Sequence, residues 1–429
     1  MPPTALVSPT GSLDKPLWTV GPLPLVALAI FVPGHMAGWA VEWGWLALQI
    51  FAGSLVLLSN QGQLRDAAGV PVMLWVTTFI LLTLTGCLSA LYGNAALGIR
   101  LDNSDAVDLL RFLVFIPLVL FITSLRAQHL EGFLRMLKLC IALHLVCSVI
   151  LVLEIEPLAS WVLVIYSEAK VQYSLHHIRI GIPFVNPNFA ALLFVLMLSI
   201  FLFYARSALF AGLCLVAIVL TGSRSGYIAA APLILLAYII FLFGVTTSWR
   251  RGVVVVGAHA TALWFFSQLA EAFTGFSRIV EFTEALADRD LGQVNTASIR
   301  FDVIENALRF IEVSPLIGVG PGRALGLDIV DSQIVAWPLA YGIPAAVLLY
   351  GLFLGPMVVL FVRCRLWVHR LACVATALSF FLMLGTGDFM KNYRLFFLSL
   401  VLMHFMHLAV ARSSVPGSRD RRPEITAAD

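Results

Sequence analysis

The apolar residues of this chain come in long blocks. FILLTLTGCLSALY, FLVFIPLVLFITSL, FAALLFVLMLSIFLFY, FAGLCLVAIVL and YIAAAPLILLAYIIFLFGV are examples, with short polar breaks between blocks. A block of about 20 apolar residues is long enough for a helix to cross a bilayer. In lipid only a helix or a closed barrel satisfies its own backbone, and the period-two alternation of a barrel is absent. The blocks fall at about 17–34, 40–58, 70–92, 107–125, 133–154, 188–205, 207–221, 225–246, 252–272, 333–362, 366–386 and 393–411. They predict an all-α integral membrane protein of about 12 transmembrane helices, forming one polytopic domain over residues 17–411. Two connections are long, about 155–187 and 273–332, and are expected to hold short amphipathic helices.

Composition strengthens this reading. Hydrophobic residues make up 60% of the chain and charged residues 12%, half of the roughly 25% of a soluble protein. The net charge of +3 makes no case for nucleic acid. Residues 1–16 lack the basic start and short apolar core of a signal peptide and are expected to form a cytoplasmic tail. The six cysteines form no CxxC pair, so neither a disulfide framework nor a zinc site is indicated. Placing the N-terminus inside puts Arg65, Arg126, Arg135, Lys138, Arg206, Arg250, Arg251, Arg363, Arg365 and Arg370 on inner connections, as the positive-inside bias requires. The basic tail 412–429 is then also cytoplasmic. Both long connections fall on the outer side, with arginines that run against the bias.

One of these is Arg224, in TGSRSG between two apolar blocks. Gly222 and Gly226 allow positive φ and close approach. Ser223 or Ser225 can cap the following helix, whose free N–H groups favour an anion. The planar fork of Arg224 suits phosphate; an interfacial arginine reaching lipid headgroups is the alternative. In HHIRIGIPFVNPNFAALLF, Arg179 precedes Asn186-Pro187-Asn188. Asn188 can cap a helix beginning at Phe189. The amides of Asn186 and Asn188 at a helix mouth suit sugar hydroxyls, with a plain turn as the alternative. The adjacent His176 and His177 lack metal-ligand spacing.

In NTASIRFDVIENALRFIEVSP, Thr296 or Ser298 can cap a helix of about four turns that stops near Pro315. Ile299, Val303, Ala307, Phe310 and Ile311 share its apolar face, and Glu305 and Arg309 make an i,i+4 pair. Arg300 then falls in the first turn, where the helix dipole opposes a cation unless an anion faces it; pairing with Asp302 or Glu305 is the alternative. The next turn, LIGVGPG, lacks the GK[ST] ending of a P-loop. Asp331 at the outer mouth of the tenth block can act as a base, anchor a hydroxyl or cap a helix. TGDFMKNYRLF adds Asp388, Lys391 and Arg394 on the same side, Lys391 being a further candidate glycan contact.

IRIGIPFVNPNFAALL, LTGSRSGYIA, RFDVIENALRFIEVSPLIGVGPG and LAYGIPAA, in this order over about residues 175–350, resemble the O-antigen ligase and Wzy-type polysaccharide polymerase superfamily of bacteria. The resemblance implies a metal-independent glycosyltransferase of the inner membrane, with no cofactor and an active site facing the periplasm. Its donor would be a glycan on undecaprenyl diphosphate, held by Arg179, Arg224 and Arg300, and its large outer loop would close over donor and acceptor. Lipid A-core ligases of the family carry a histidine after the GVGPG turn. Here the place reads Asp331-Ser332-Gln333, and no histidine lies between Gly322 and Gly342. That favours a polymerase, in which Asp331 orients or deprotonates the attacking hydroxyl and Arg300 assists catalysis. A chain-length regulator and a flippase are the partners this implies. A ligase acting on another acceptor and a lipid-linked oligosaccharide transporter are the other readings.

Overall fold

The computed structural model describes residues 22–31, 44, 47–48, 50–54, 66–101, 103–166, 172–174, 177–184, 186–245, 295–320, 332–385, 389 and 392–413. Among these the chain is mostly helical: α1 (Leu23–Phe31), α2 (Val72–Leu97), α3 (Asn103–Ile122), α4 (Leu130–Val152), α5 (Leu158–Tyr166), α6 (Pro187–Ser199), α7 (Ala208–Leu220), α8 (Arg224–Val245), α9 (Asn295–Val313), α10 (Gln333–Tyr341), α11 (Ile343–Arg363), α12 (Trp367–Leu384) and α13 (Tyr393–Ser413). Among the described residues, six segments are long and apolar enough to cross a membrane: Val72–Leu97, Ala127–Val152, Pro187–Tyr204, Ile343–Arg363, Trp367–Leu384 and Tyr393–Ala411. The expected block at about 252–272, and most of that at 40–58, lie outside the described residues.

Burial sorts these helices. In Pro187–Tyr204 and Tyr393–Ala411, 78% and 83% of the most apolar stretch is buried, against 39–50% in the other four, so α6 and α13 form the centre of the bundle. The outer helices turn leucine and valine outward: Leu84, Leu88 and Leu91 on α2, Val358 and Val362 on α11. Rows of this kind on one face suit lipid and would be a liability in water. The chain is a multi-pass membrane protein.

Two departures from the expected all-helical layout have local causes. Short antiparallel hairpins occur. β1 (Asp66–Ala67) pairs with β2 (Val70–Pro71) through a turn with φ of 50° at Ala68 and 78° at Gly69. β3 (Gln172–Ser174) pairs with β4 (His177–Arg179) inside the first long connection, which therefore holds a hairpin as well as the short helix α5. Second, the single span expected over 333–362 is two helices. Gly342, with φ of 80°, breaks it, and a proline follows in the first turn of α11. The Tyr350 hydroxyl donates to the Gln333 carbonyl at 2.9 Å, and the Trp337 and Tyr350 rings stack at 5.1 Å. In one straight helix Gln333 and Tyr350 would stand roughly 25 Å apart. So α10 folds back along α11.

The helices do not end at one height. Phe115 and Phe396 stack at 3.8 Å, and Phe79 and Phe353 meet Phe396 at 6.1 and 5.4 Å, marking a common level. Above it α13 has only the short step from Phe396 to Tyr393. From Phe79 to Leu97, α2 rises another ~27 Å, and from Phe115 to Asn103, α3 rises ~18 Å. The start of α13 is therefore sunk below the rim. We call the end with Leu97, Gly222 and Ile343 the upper end, and that with the β1–β2 hairpin the lower end.

At the upper end α9 is tied down by a glycine lock. Its Ala307 and Ile311 bury against Ile99, Val319 and Leu339. Val319 N–H donates to Leu339 O at 2.8 Å and Ile343 N–H to Pro315 O at 2.8 Å. Gly93, Gly318 and Gly342 leave room for this docking, because a Cβ on each would run into the backbone of Val319, Gly342 and Leu316 respectively. The buried Ser89 hydroxyl donates to Ala340 O at 2.6 Å and accepts from Gly320 N–H at 2.7 Å. Ser89→Ala leaves both groups unsatisfied and is expected to cost about 1–3 kcal/mol. Thermal unfolding in detergent checks this; an unchanged midpoint would mean that the serine bridges nothing that matters.

Candidate functional site

The turn between α7 and α8 is built from its own small residues. Thr221 Oγ1 donates to Ile218 O at 2.6 Å, and Gly222 takes φ of 58°. Ser223 stands just before α8 and caps it, accepting from Gly226 N–H at 3.2 Å. Its hydroxyl donates to Asn188 Oδ1 at 2.8 Å, so the 2.9 Å contact with Ser225 is donated by Ser225. Gly226 carries no Cβ because one would lie 2.8 Å from Ala191 Cβ, which lets α8 press on α6. The capping by Ser223 and the close approach at Gly226 are as the sequence predicts. Arg224 opens α8 and is half-exposed.

Arg179 comes to the same corner. It ends β4, and the next residue, Ile180, donates its N–H to Leu220 O at 3.1 Å, four residues before Arg224. The segment after Arg179 is held at Gly181 and Ile182. His144 Nδ1 bonds to Ile182 O at 2.7 Å, and a Cβ at Gly181 would lie 2.9 Å from backbone atoms of Phe184, Asn186 and Pro187. Asn186, not Asn188, caps α6: its side chain accepts from Asn188 N–H at 2.9 Å and Pro187 occupies the first turn. The expected start at Phe189 is thus two residues late, because proline at the first helical position needs no N–H partner. The Asn186 and Asn188 oxygens both hold this scaffold in place.

Arg394 is the residue whose role the sequence does not reveal. It is buried near the sunken start of α13, with Nε and Nη2 donating to Ala29 O at 3.0 and 2.9 Å. Its guanidinium lies 5.3 Å from the centre of the Phe184 ring. It therefore caps the last turn of α1, where a cation complements the dipole, and props the segment leading to Asn186. Tyr166, in the first long connection, is pushed up to about 12 by burial, with Cys147 and Cys140 adding and Arg394 opposing; it keeps its proton at neutral pH. On α3, Arg111 and Asp108 form a buried ion pair in the upper half, a few residues from the buried Asp105.

Arg300 lies on α9, which begins at Asn295 and not after Ser298. It is thus in the second turn, and the dipole argument for an anion at Arg300 does not hold. Neither Thr296 nor Ser298 caps it, and the side chain of Ile299 lies outside those described; α9 does end at Val313, its expected apolar positions Val303, Ala307, Phe310 and Ile311 pack inward, and Arg309 meets Glu305 at 2.7 Å. Ser332 occupies the cap position of α10. Asp331, Asp388 and Lys391 lie outside the described residues. Among the described residues no group of three or more His, Cys, Asp or Glu could hold a metal ion.

Residues 209–350, about a third of the chain, match the sequence model of a family described as O-antigen ligase. The match runs from α7 to the first turns of α11 and includes Arg224, Arg300 and Asp331. It bears out the resemblance to the O-antigen ligase and Wzy-type superfamily. No curated protein matches the chain.

Proposed function

We propose, with the O-antigen ligase segment at residues 209–350 as premise, that this protein polymerises undecaprenyl-diphosphate-linked oligosaccharide repeat units at the periplasmic face of the bacterial inner membrane. The observation that carries this reading is the corner where Arg224 opens α8 beside the end of β4 that bears Arg179. A helix start and two guanidinium groups make a site for a diphosphate. A hydroxyl of the acceptor repeat attacks the anomeric carbon of the donor. The new glycosidic C–O bond forms as the bond to the diphosphate oxygen breaks, and undecaprenyl diphosphate leaves with the electron pair. Arg179, Arg224 and Arg300 stabilise the charge growing on that leaving group, and Asp331 takes the hydroxyl proton. No metal ion takes part. With their oxygens committed to the scaffold, the amide nitrogens of Asn186 and Asn188 are assigned, with Lys391, to the glycan hydroxyls.

A polymerase is favoured over a ligase because no histidine lies between Gly322 and Gly342. Incubating purified protein with a synthetic undecaprenyl-diphosphate repeat unit and no nucleotide is expected to give a polymer ladder. Product only after adding lipid A-core would make it a ligase. No product, with transport of the lipid into liposomes, would overturn both. Asp331→Asn is expected to slow the ladder by about 10²–10⁴-fold; full polymer length and yield at normal protein level would remove Asp331 from the chemistry. A chain-length regulator and a flippase are the partners this function calls for.

A further inference from the structure

A cavity with charged groups set in a largely apolar wall opens at the lower end, between the β1–β2 hairpin, the α3–α4 connection and the ends of α11 and α13. It holds about 650 Å³ and is lined by Asp66, Arg126, Arg363, His404 and His407, with the apolar Leu360 and Leu408 alongside. Small-molecule sites commonly hold 300–1,000 Å³, so the space admits a headgroup. It is distinct from the upper corner: from Phe396, at the common aromatic level, to His407 is ~16 Å further down α13.

The polar groups here are of two kinds. The histidines serve as fixed architecture. His404 Nδ1 accepts from Ala68 N–H at 3.0 Å, so its proton sits on Nε2 and is donated to Leu125 O at 3.2 Å. His407 Nε2 donates to Pro356 O at 2.7 Å, and its ring packs on Gly69, where a Cβ would collide with it. Both rings hold the hairpin in place. The arginines differ. Arg363 meets Asp66 only at 3.5 Å, with the two side chains 56% and 47% exposed. Such a loose exposed pair contributes little and is readily exchanged for a stronger acceptor. Arg126 stands across the same cavity on the α3–α4 connection. Two guanidinium groups from separate elements, one loosely held carboxylate and an apolar wall make a cradle for a phosphate that carries acyl chains.

We propose that this cavity binds the phosphate of an anionic phospholipid, with Arg126 and Arg363 as its donors and Asp66 as the group it displaces. Basic pockets between membrane helices bind anionic headgroups in this way. The full-length protein in phosphatidylcholine nanodiscs is titrated with phosphatidylglycerol, and bound lipid is counted by native mass spectrometry. The Arg126→Gln, Arg363→Gln double variant is expected to bind at least about tenfold more weakly, the loss of two charge-assisted hydrogen bonds. Asp66→Asn is expected to bind more tightly, because the competing carboxylate is gone; a hairpin residue that merely supported the fold would not tighten binding when replaced. A parallel arm adds inorganic phosphate. Displacement of the lipid at millimolar phosphate supports a site that reads phosphate alone, and resistance supports a site that also reads the acyl chains. Equal retention of phosphatidylglycerol and phosphatidylcholine, or unchanged binding by the double variant, overturns the proposal. Glycan transfer at the upper corner is read by a different assay, so either result leaves that function standing or falling by itself.

Discussion

Replacing Arg224 by lysine is expected to lower the rate of glycan transfer by about 10²-fold or more, although the charge is kept. The size follows from what one well-aimed donor contributes where charge builds up on a leaving group. The cause is geometric. Arg224 is the first residue of α8, so its backbone is fixed by the Ser223 cap and by Gly226 pressed against Ala191. From a fixed base, a guanidinium can place two parallel N–H groups on a diphosphate, and an ammonium cannot. The side chain is half-exposed and outside the packed core, so the protein should fold and insert normally. Polymer ladders from equal amounts of purified wild type and variant decide the matter. Unchanged turnover in the lysine variant would reduce Arg224 to a headgroup anchor.

Gly342→Ala is expected to be the most damaging small substitution at the upper end. The residue sits at φ of 80° and ψ of 161°, a region nearly confined to glycine where an L side chain is strained by about 1–3 kcal/mol, and its Cβ would run into the carbonyl of Leu316. Relieving that clash means parting the 315–320 turn from the α10–α11 break, which is also held by Ile343 N–H to Pro315 O at 2.8 Å. With overpacking adding its usual 1–3 kcal/mol, the summed cost is about 2–6 kcal/mol. Gly351→Ala on α11 is the control: nothing lies within 4 Å of its Cβ position, so it should be neutral or gain up to about 1 kcal/mol of helix propensity. Thermal midpoints and protease sensitivity of the upper connections separate the two. Equal midpoints would mean that the lock yields without loss.

What could be read from the sequence, and what could not, follows from the range of each signal. The apolar face of α9 was legible because a 3.6-residue period needs no partner to be seen, and the Ser223 cap because its residues are adjacent. The break at Gly342 hid inside an apolar block, since averaging over some 20 residues passes over one glycine; the G-I-P spelling was the visible clue. The hairpins pair only two or three residues per strand, too few for an alternating pattern to register. The start of α9 was misplaced because both Thr296 and Ser298 look like caps while the helix begins at Asn295. The role of Arg394 could not be read at all: its partners, Ala29 and Phe184, are distant in the chain.

The glycine lock bears on the order of assembly. Residues 314–320 dock on Ser89 and Gly93, which precede them, and on Leu339 to Ile343, which follow. A chain made from its N-terminus offers the first half of this berth early and the second only after α10 and α11 have emerged. The amphipathic helix α9 must therefore wait, unseated, while the next span is inserted. A ribosome stalled before residue 343 would display the upper connection as a protease-sensitive flap.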